Sequence, residues 1–334
     1  MSKVYFIKDN FIKKLEPTLK KFPLEKWNGK SVAVKLHMGE YGNLNYVRPP
    51  IAGRIVEILK EAGANPFLYD STTKYKVKRY TVEDYYETAR KNGFTEETMG
   101  CPIVISNNGI EKDGKLFPVH VIKEIAEADA MLVLSHCKGH PFTSLGAAIK
   151  NIGMGCIDRD TKKLCHDKAN MVVDLEKCVG CGICINVCPV NAIRVEGKKA
   201  VIDYEKCWGC AKCFKACNQQ AMSPKELMPD TALASCTLPV LECFDKKDLL
   251  YVNVLMDISE MCDCHGDAKL GEMPDIGFLV SDNILAIDSA SADLINKAFG
   301  KDFFDSIGYR DPKLQVKWLE EQGYGNSDYE LVEV

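Results

Sequence analysis

Eight cysteines in one stretch carry the strongest chemical signal in this 334-residue chain: Cys178-x2-Cys181-x2-Cys184-x3-Cys188-Pro189, then Cys207-x2-Cys210-x2-Cys213-x3-Cys217. Three thiolates with two residues between neighbours wrap one face of an iron-sulfur cube. The fourth must arrive from elsewhere, so the last cysteine of each run serves the other cluster. The spacing predicts two 4Fe-4S clusters, one on Cys178, Cys181, Cys184 and Cys217, the other on Cys207, Cys210, Cys213 and Cys188. A zinc ribbon offers paired Cys-x2-Cys units instead of two runs of four.

The surroundings repeat as well, Val173-Asp174-Leu175-Glu176-Lys177-Cys178 against Ile202-Asp203-Tyr204-Glu205-Lys206-Cys207, as expected of a duplicated strand, cluster loop and short helix. Residues 170–223 thus resemble a bacterial two-cluster ferredoxin. Asn218 stands where the pattern has proline after the last cysteine; it supplies no thiolate, so only the local turn departs.

A second group of reactive side chains follows an apolar strand ending at Leu134: Ser135-His136-Cys137-Lys138-Gly139-His140-Pro141, then the small-residue run Gly146 to Cys156. On a helical turn His136 and His140 would share a face and could chelate a metal or form an acid/base pair; the plainer reading is that they cap the sheet. The glycines permit close approach of a ligand or close helix packing. Lys35, His37 and Glu40, with Asn43, suit the wall of a substrate pocket, or else a salt-bridge cluster. Cys262-Asp263-Cys264-His265 adds soft ligands after a predicted strand, with Cys262 and Cys264 pointing one way and Asp263 the other in an extended segment. With Cys156, Cys165-His166, His136 or His140 they could complete a third metal site for zinc, iron or nickel, the alternative being reduced, buried thiols. Cys101, Cys236 and Cys243 read as core.

The elements that must position these groups alternate. Strands are predicted at Val4–Ile7, Ser31–Leu36, Asn65–Tyr69, Ile103–Ser106, Phe117–Ile122, Ala130–Leu134, Leu249–Ile258, Ile276–Val280 and Tyr329–Val334. Helices fall at Phe11–Phe22, Pro49–Ala62, Val82–Asn92, from Pro224 to about Phe244, Ile287–Phe299 and Lys313–Gln322. This predicts an α/β fold, a largely parallel sheet with helices on both faces, split as 1–169 and 224–334 around an inserted α+β cluster domain at 170–223. Loops after such strands are the usual ligand sites.

Composition, 46% hydrophobic and 27% charged, is that of a globular protein. Sixteen cysteines without a secretory pattern at Met1–Ile7 point to metal ligation in the cytoplasm. A net charge of -4 gives no basic surface for nucleic acid, and no apolar run is of membrane-spanning length.

The chain as a whole resembles the uncharacterised iron-sulfur centre proteins that carry the DUF362 domain. The likeness rests on Val34-Lys35-Leu36-His37-Met38-Gly39-Glu40-Tyr41-Gly42-Asn43, on Ser135 to His140, on Ala148 to Cys156, on Cys262-Asp263-Cys264 and on Pro274-Asp275-Ile276-Gly277. It implies an α/β domain with a two-cluster insertion and no particular reaction. The expectation is a redox protein passing low-potential electrons from a partner protein through the clusters to a small-molecule substrate or metal in the α/β domain. His136, Lys138 and His140 would bind substrate or supply protons, and Lys35, His37 and Glu40 would complete the pocket. A dedicated electron-transfer subunit and a redox or metal sensor are the alternatives.

Overall fold

The computed structural model describes residues 1–271 and 273–334. Its short apolar strands form one eight-stranded sheet: β1 (Ser2–Ile7), β2 (Ser31–Lys35), β3 (Asn65–Ser71), β4 (Ile103–Ser106), β5 (Ala130–His136), β6 (Leu249–Leu255), β7 (Gly277–Ser281) and β8 (Tyr329–Glu333). Their order is β8-β1-β7-β6-β5-β2-β3-β4. Pairing from β4 to β6 is parallel throughout. β7 runs antiparallel to β1 and β6, and β8 runs parallel to β1.

A parallel sheet needs apolar residues on both faces because its crossovers cover both. β5 meets that demand with every residue buried. Its Ala130, Leu132 and Leu134 join Ile51, Ile55 and Leu59 of helix Pro49–Glu61 in one core. Its Met131 and Val133 join Ile149 and Ile152 of helix Ala148–Gly155 and Leu233 of helix Pro229–Leu241 in the other. The expected α/β fold with helices on both faces is therefore the observed one. Crossovers from β2 to β4 use the first face, whereas the chain after β5 uses the second. Strand order consequently reverses between β2 and β5, which opens a crevice beyond their carboxyl ends.

Some elements differ from the sequence reading. Val119–Ile122 pairs with Gly109–Lys112 in a hairpin apart from the main sheet. The helix expected from Pro224 starts at Pro229, because Met222–Pro224 is used as a strand against Met171–Val173. That pairing sets the two ends of the cysteine-rich segment side by side. Within the segment a second hairpin joins Ile193–Glu196 to Lys199–Ile202, with short helices at Ile183–Asn186 and Lys212–Ala216. Arg310 ties segment to sheet domain: Nε donates to Asp230 (2.9 Å), Nη1 to the Cys210 carbonyl (2.7 Å) and Nη2 to the Phe142 carbonyl (2.6 Å). No helix among the described residues is long and apolar enough to cross a membrane.

Candidate functional site

Two small cavities lie inside the cysteine-rich segment. One is lined by Cys178, Cys181, Cys184 and Cys217, the other by Cys188, Cys207, Cys210 and Cys213. Backbone amides point at the sulfurs: Ala200 to Cys178 (3.3 Å), Ala221 to Cys217 (3.3 Å), Ala192 to Cys188 (3.2 Å) and Gly209 to Cys207 (3.4 Å). Four thiols with apolar walls and N–H···S donors are a donor set that fits an iron-sulfur cluster, since such bonds stabilise sulfur charge. No disulfide joins any of the sixteen cysteines.

A third cavity, about 340 Å³, occupies the crevice between β2 and β5. Lys35 and His37 reach it from β2, the loop after β3 brings Arg79, and β5 leads in His136, Lys138 and His140. Five of the six histidines line it. Asn151 staples the switch point, with Oδ1 accepting Lys35 Nζ (2.6 Å) and Nδ2 donating to Leu134 O and Ser135 Oγ (both 3.0 Å). Its helix is fixed at the start by Asp288, which accepts Ala148 N–H (3.0 Å) and Ile149 N–H (2.9 Å). Burial pushes the Asp288 carboxyl up to about 6, against those bonds. The glycines of this helix serve packing: a Cβ on Gly155 would overlap Lys35, and one on Gly153 would overlap Thr237.

His136 and Lys138 line the cavity and are held there by hydrogen bonds of their own. His136 lies on extended backbone at the end of β5, and Lys138 and His140 on a short strand paired with Ser144–Gly146, so no helical turn joins the histidines. Both His136 nitrogens face acceptors, Asp263 Oδ1 at 2.7 Å and the Met256 carbonyl at 2.8 Å. Lys138 Nζ lies 2.8 Å from the other Asp263 oxygen. Burial opposes a charge on Asp263, but His136 and Lys138 outweigh it and hold the carboxyl well below the usual range. These three groups form a closed buried network that anchors the loop after β6. Glu40, by contrast, is outside the cavity lining, buried and paired with Arg79 Nε at 3.1 Å.

His37 and His140 converge on one sulfur. Nδ1 of His37 accepts the Gly39 amide (3.0 Å) and Nδ1 of His140 the Phe142 amide (3.1 Å). A neutral imidazole that accepts at Nδ1 carries its proton on Nε2. Burial, reinforced by Arg79 beside His37 and Lys150 beside His140, keeps both neutral, pushing His140 down to about 3. His37 Nε2 is 3.7 Å from Cys264 Sγ; His140 lines the same cavity and favours the charged form of that sulfur. Cys262 Sγ lies 2.7 Å from Cys264 Sγ, and Lys150 Nζ 4.0 Å from Cys262 Sγ. The hydrogen bond from Cys262, then Lys150 and the histidines, hold the Cys264 thiol well below its ordinary value despite burial. The pair occupies a turn, yet Asp263 points away from it as the extended reading required. Cys156, expected beside them, is fully buried in the core and does not line the cavity. Of the ligands expected for a third metal site, Cys262, Cys264, His136, His140 and His166 line the cavity, and Cys156 does not.

The cavity is cationic. Lys35, Arg79 and Lys138 have carboxylate partners; among the described residues Lys74, Lys150 and Lys162 have none within 4.0 Å. Arg79 is buried, and its Nη2 has no hydrogen-bond partner. An orphaned guanidinium nitrogen is expensive unless a ligand completes it. Sequence reasoning missed Arg79, Lys150 and Lys162 as site residues. Burial pushes Lys162 down to about 7, although Asp70 favours its charge. Anion binding is therefore expected to weaken as pH rises through about 7, as Lys162 loses its proton; calorimetric titration of phosphate across this range checks it, and Lys162→Met should flatten the dependence.

The family model for "Domain of unknown function (DUF362)" matches residues 32–293, so the chain belongs to the DUF362 family. Over 32 residues it is 47% identical to Ferredoxin-2 of Desulfomicrobium norvegicum, covering 10% of this chain and 54% of that protein. It is thus a DUF362 protein with iron-sulfur features. Among solved structures, the lactate racemase apoprotein of Thermoanaerobacterium thermosaccharolyticum is similar with a TM-score of 0.38 and 12% identity, over 77% of this chain and 51% of that one. A Thermotoga maritima protein from a structural genomics consortium gives 0.46 and 10%, over 86% and 57%. The chain spans about half the length of each of these relatives.

Proposed function

We propose that this chain is a redox enzyme in which two 4Fe-4S clusters pass low-potential electrons, one at a time, to a small anionic substrate in the cavity between β2 and β5. The observation that carries this reading is the place of Trp208. It follows Cys207, lines both the second four-cysteine cavity and the large cavity, and its ring lies 4.6 Å from that of His265, next to Cys264. A single aromatic contact thus separates a cluster ligand from the site. At the other end Cys181 is exposed, flanked by exposed Leu175 and Val179, which suits docking of a redox partner protein against the first cluster.

The clusters, when bound, supply single electrons. The chain's own groups do the rest. Arg79, Lys150 and Lys162 hold the anion, and Phe142 and Met154 displace water from it. His37 and His140 present Nε2–H groups as proton donors. A cavity with an unsatisfied guanidinium favours an enzyme over a domain that only docks a partner.

The test is reoxidation of dithionite-reduced protein by anthraquinone-2-sulfonate, a small anionic acceptor, followed by stopped flow. The rate should saturate with acceptor. Trp208→Leu should lower the limiting rate about tenfold with iron content unchanged, whereas Arg79→Gln should raise the half-saturating concentration instead. A linear dependence indifferent to both substitutions would count against the reading.

A further inference from the structure

The two cysteines of the cavity remain outside the reading so far. We infer that Cys262 and Cys264 form a redox-active pair that cycles between dithiol and disulfide, with Cys264 as the attacking sulfur and a small anionic disulfide as the substrate class. Four features of the geometry support this. The sulfurs lie 2.7 Å apart on one turn, so closing a bond between them needs little movement. Both line a cavity too small for a folded protein but ample for a small molecule. Cys264 accepts from His37, whose proton is fixed on Nε2 by the Gly39 amide at Nδ1, and His140, with its own Nδ1 accepting the Phe142 amide, adds to the field at that sulfur, an arrangement that stabilises a thiolate, the nucleophilic form.

The fourth feature separates this from metal binding. A metal-bound histidine gives its lone pair to the ion and donates its other N–H to an acceptor. Here both Nδ1 atoms accept, so the Nε2 atoms facing Cys264 are donors with no lone pair to give. Lys150 beside Cys262, the orphaned Arg79 and Lys162 select an anionic partner.

In the exchange the Cys264 thiolate attacks one sulfur of the substrate. Its S–S bond breaks, a mixed disulfide forms and one thiolate leaves. Cys262 gives up its proton and attacks the Cys264 sulfur, which expels the second thiolate and leaves a Cys262–Cys264 disulfide. The substrate has gained two electrons and the pair has lost two. Two single electrons and one proton restore thiol and thiolate, the electrons coming from a low-potential one-electron donor protein by way of the cluster side and Trp208. This last half rests on the proposed electron route, whereas the exchange does not.

The experiment uses anaerobic, cluster-loaded protein with 5,5′-dithiobis(2-nitrobenzoate), a small anionic disulfide, followed by thionitrobenzoate absorbance and intact mass, with cluster absorbance as the check on integrity. Wild type should release two thionitrobenzoates in a fast phase and retain no adduct. Cys262→Ser should release one and trap the other on Cys264. Cys264→Ser should slow the fast phase at least about tenfold. Absence of a fast phase in intact wild type, or equal reactivity of Cys262 in Cys264→Ser, overturns the pair. If exchange proceeds as stated but thiols return equally fast in wild type and Trp208→Leu on reduction, the electron route fails and the pair stands.

Discussion

Cys188→Ser is expected to abolish the second cluster and spare the first, although Cys188 belongs by sequence to the first run. The segment folds so that the last cysteine of each run crosses to the other cavity, Cys188 joining Cys207, Cys210 and Cys213, and Cys217 joining Cys178, Cys181 and Cys184. A missing thiolate leaves a cluster with three ligands and a route for solvent to iron, which lowers its retention sharply. Anaerobic iron and sulfide analysis with EPR of the reduced protein reads the outcome. Cys188→Ser should lose about half the iron and the signal that responds to ligands in the large cavity, while Cys217→Ser should lose the other half. Loss of the same signal in both variants would break the interleaved assignment.

The second large effect concerns Asp263. Its carboxylate is fully buried between His136 and Lys138. Asp263→Asn leaves His136 and the Lys138 ammonium against one neutral amide, and removing one partner of such a network costs about 3–5 kcal/mol. Denaturant unfolding of the cluster-loaded protein should show that loss, and local hydrogen exchange should rise in the loop carrying Cys262 and Cys264. The pH dependence has a definite sign. Because folding depresses the Asp263 pKa, its contribution is fully present above the unfolded carboxylate value of about 4 and is lost as pH falls through the lower folded value. Asp263→Asn should therefore be nearest to wild type in stability at the acid end. A variant as stable as wild type at neutral pH would contradict the role given to the network.

Much of this site was legible in particular residues. The cysteine spacing is a local signal, since a cluster's ligands come mostly from one short loop, and it named all eight thiols that line the two cavities. The alternation of apolar strands and amphipathic helices specified the sheet, because a parallel strand such as β5 must be apolar on both sides. The large cavity was only half legible. His136, Lys138, His140, Lys35 and His37 stood out at strand ends and do reach it. Their partners did not stand out. Whether a histidine is a proton donor or a strut depends on what meets its second nitrogen, and Asp263, which claims His136, lies 127 positions away. Glu40 looked like a proton carrier for the same reason, its partner Arg79 lying 39 positions away. Trp208 carried no signal of its own beyond following a cluster cysteine.

The central claim is that the second cluster, and not the first, adjoins the cavity. A methanethiosulfonate nitroxide on Cys264 in the Cys262→Ser background reads this directly. Reduction of the clusters should broaden the nitroxide spectrum and shorten its relaxation. Adding Cys217→Ser should leave that effect intact, and adding Cys188→Ser should remove it. A nitroxide that ignores cluster reduction, or that responds only while the first cluster is present, would contradict the account.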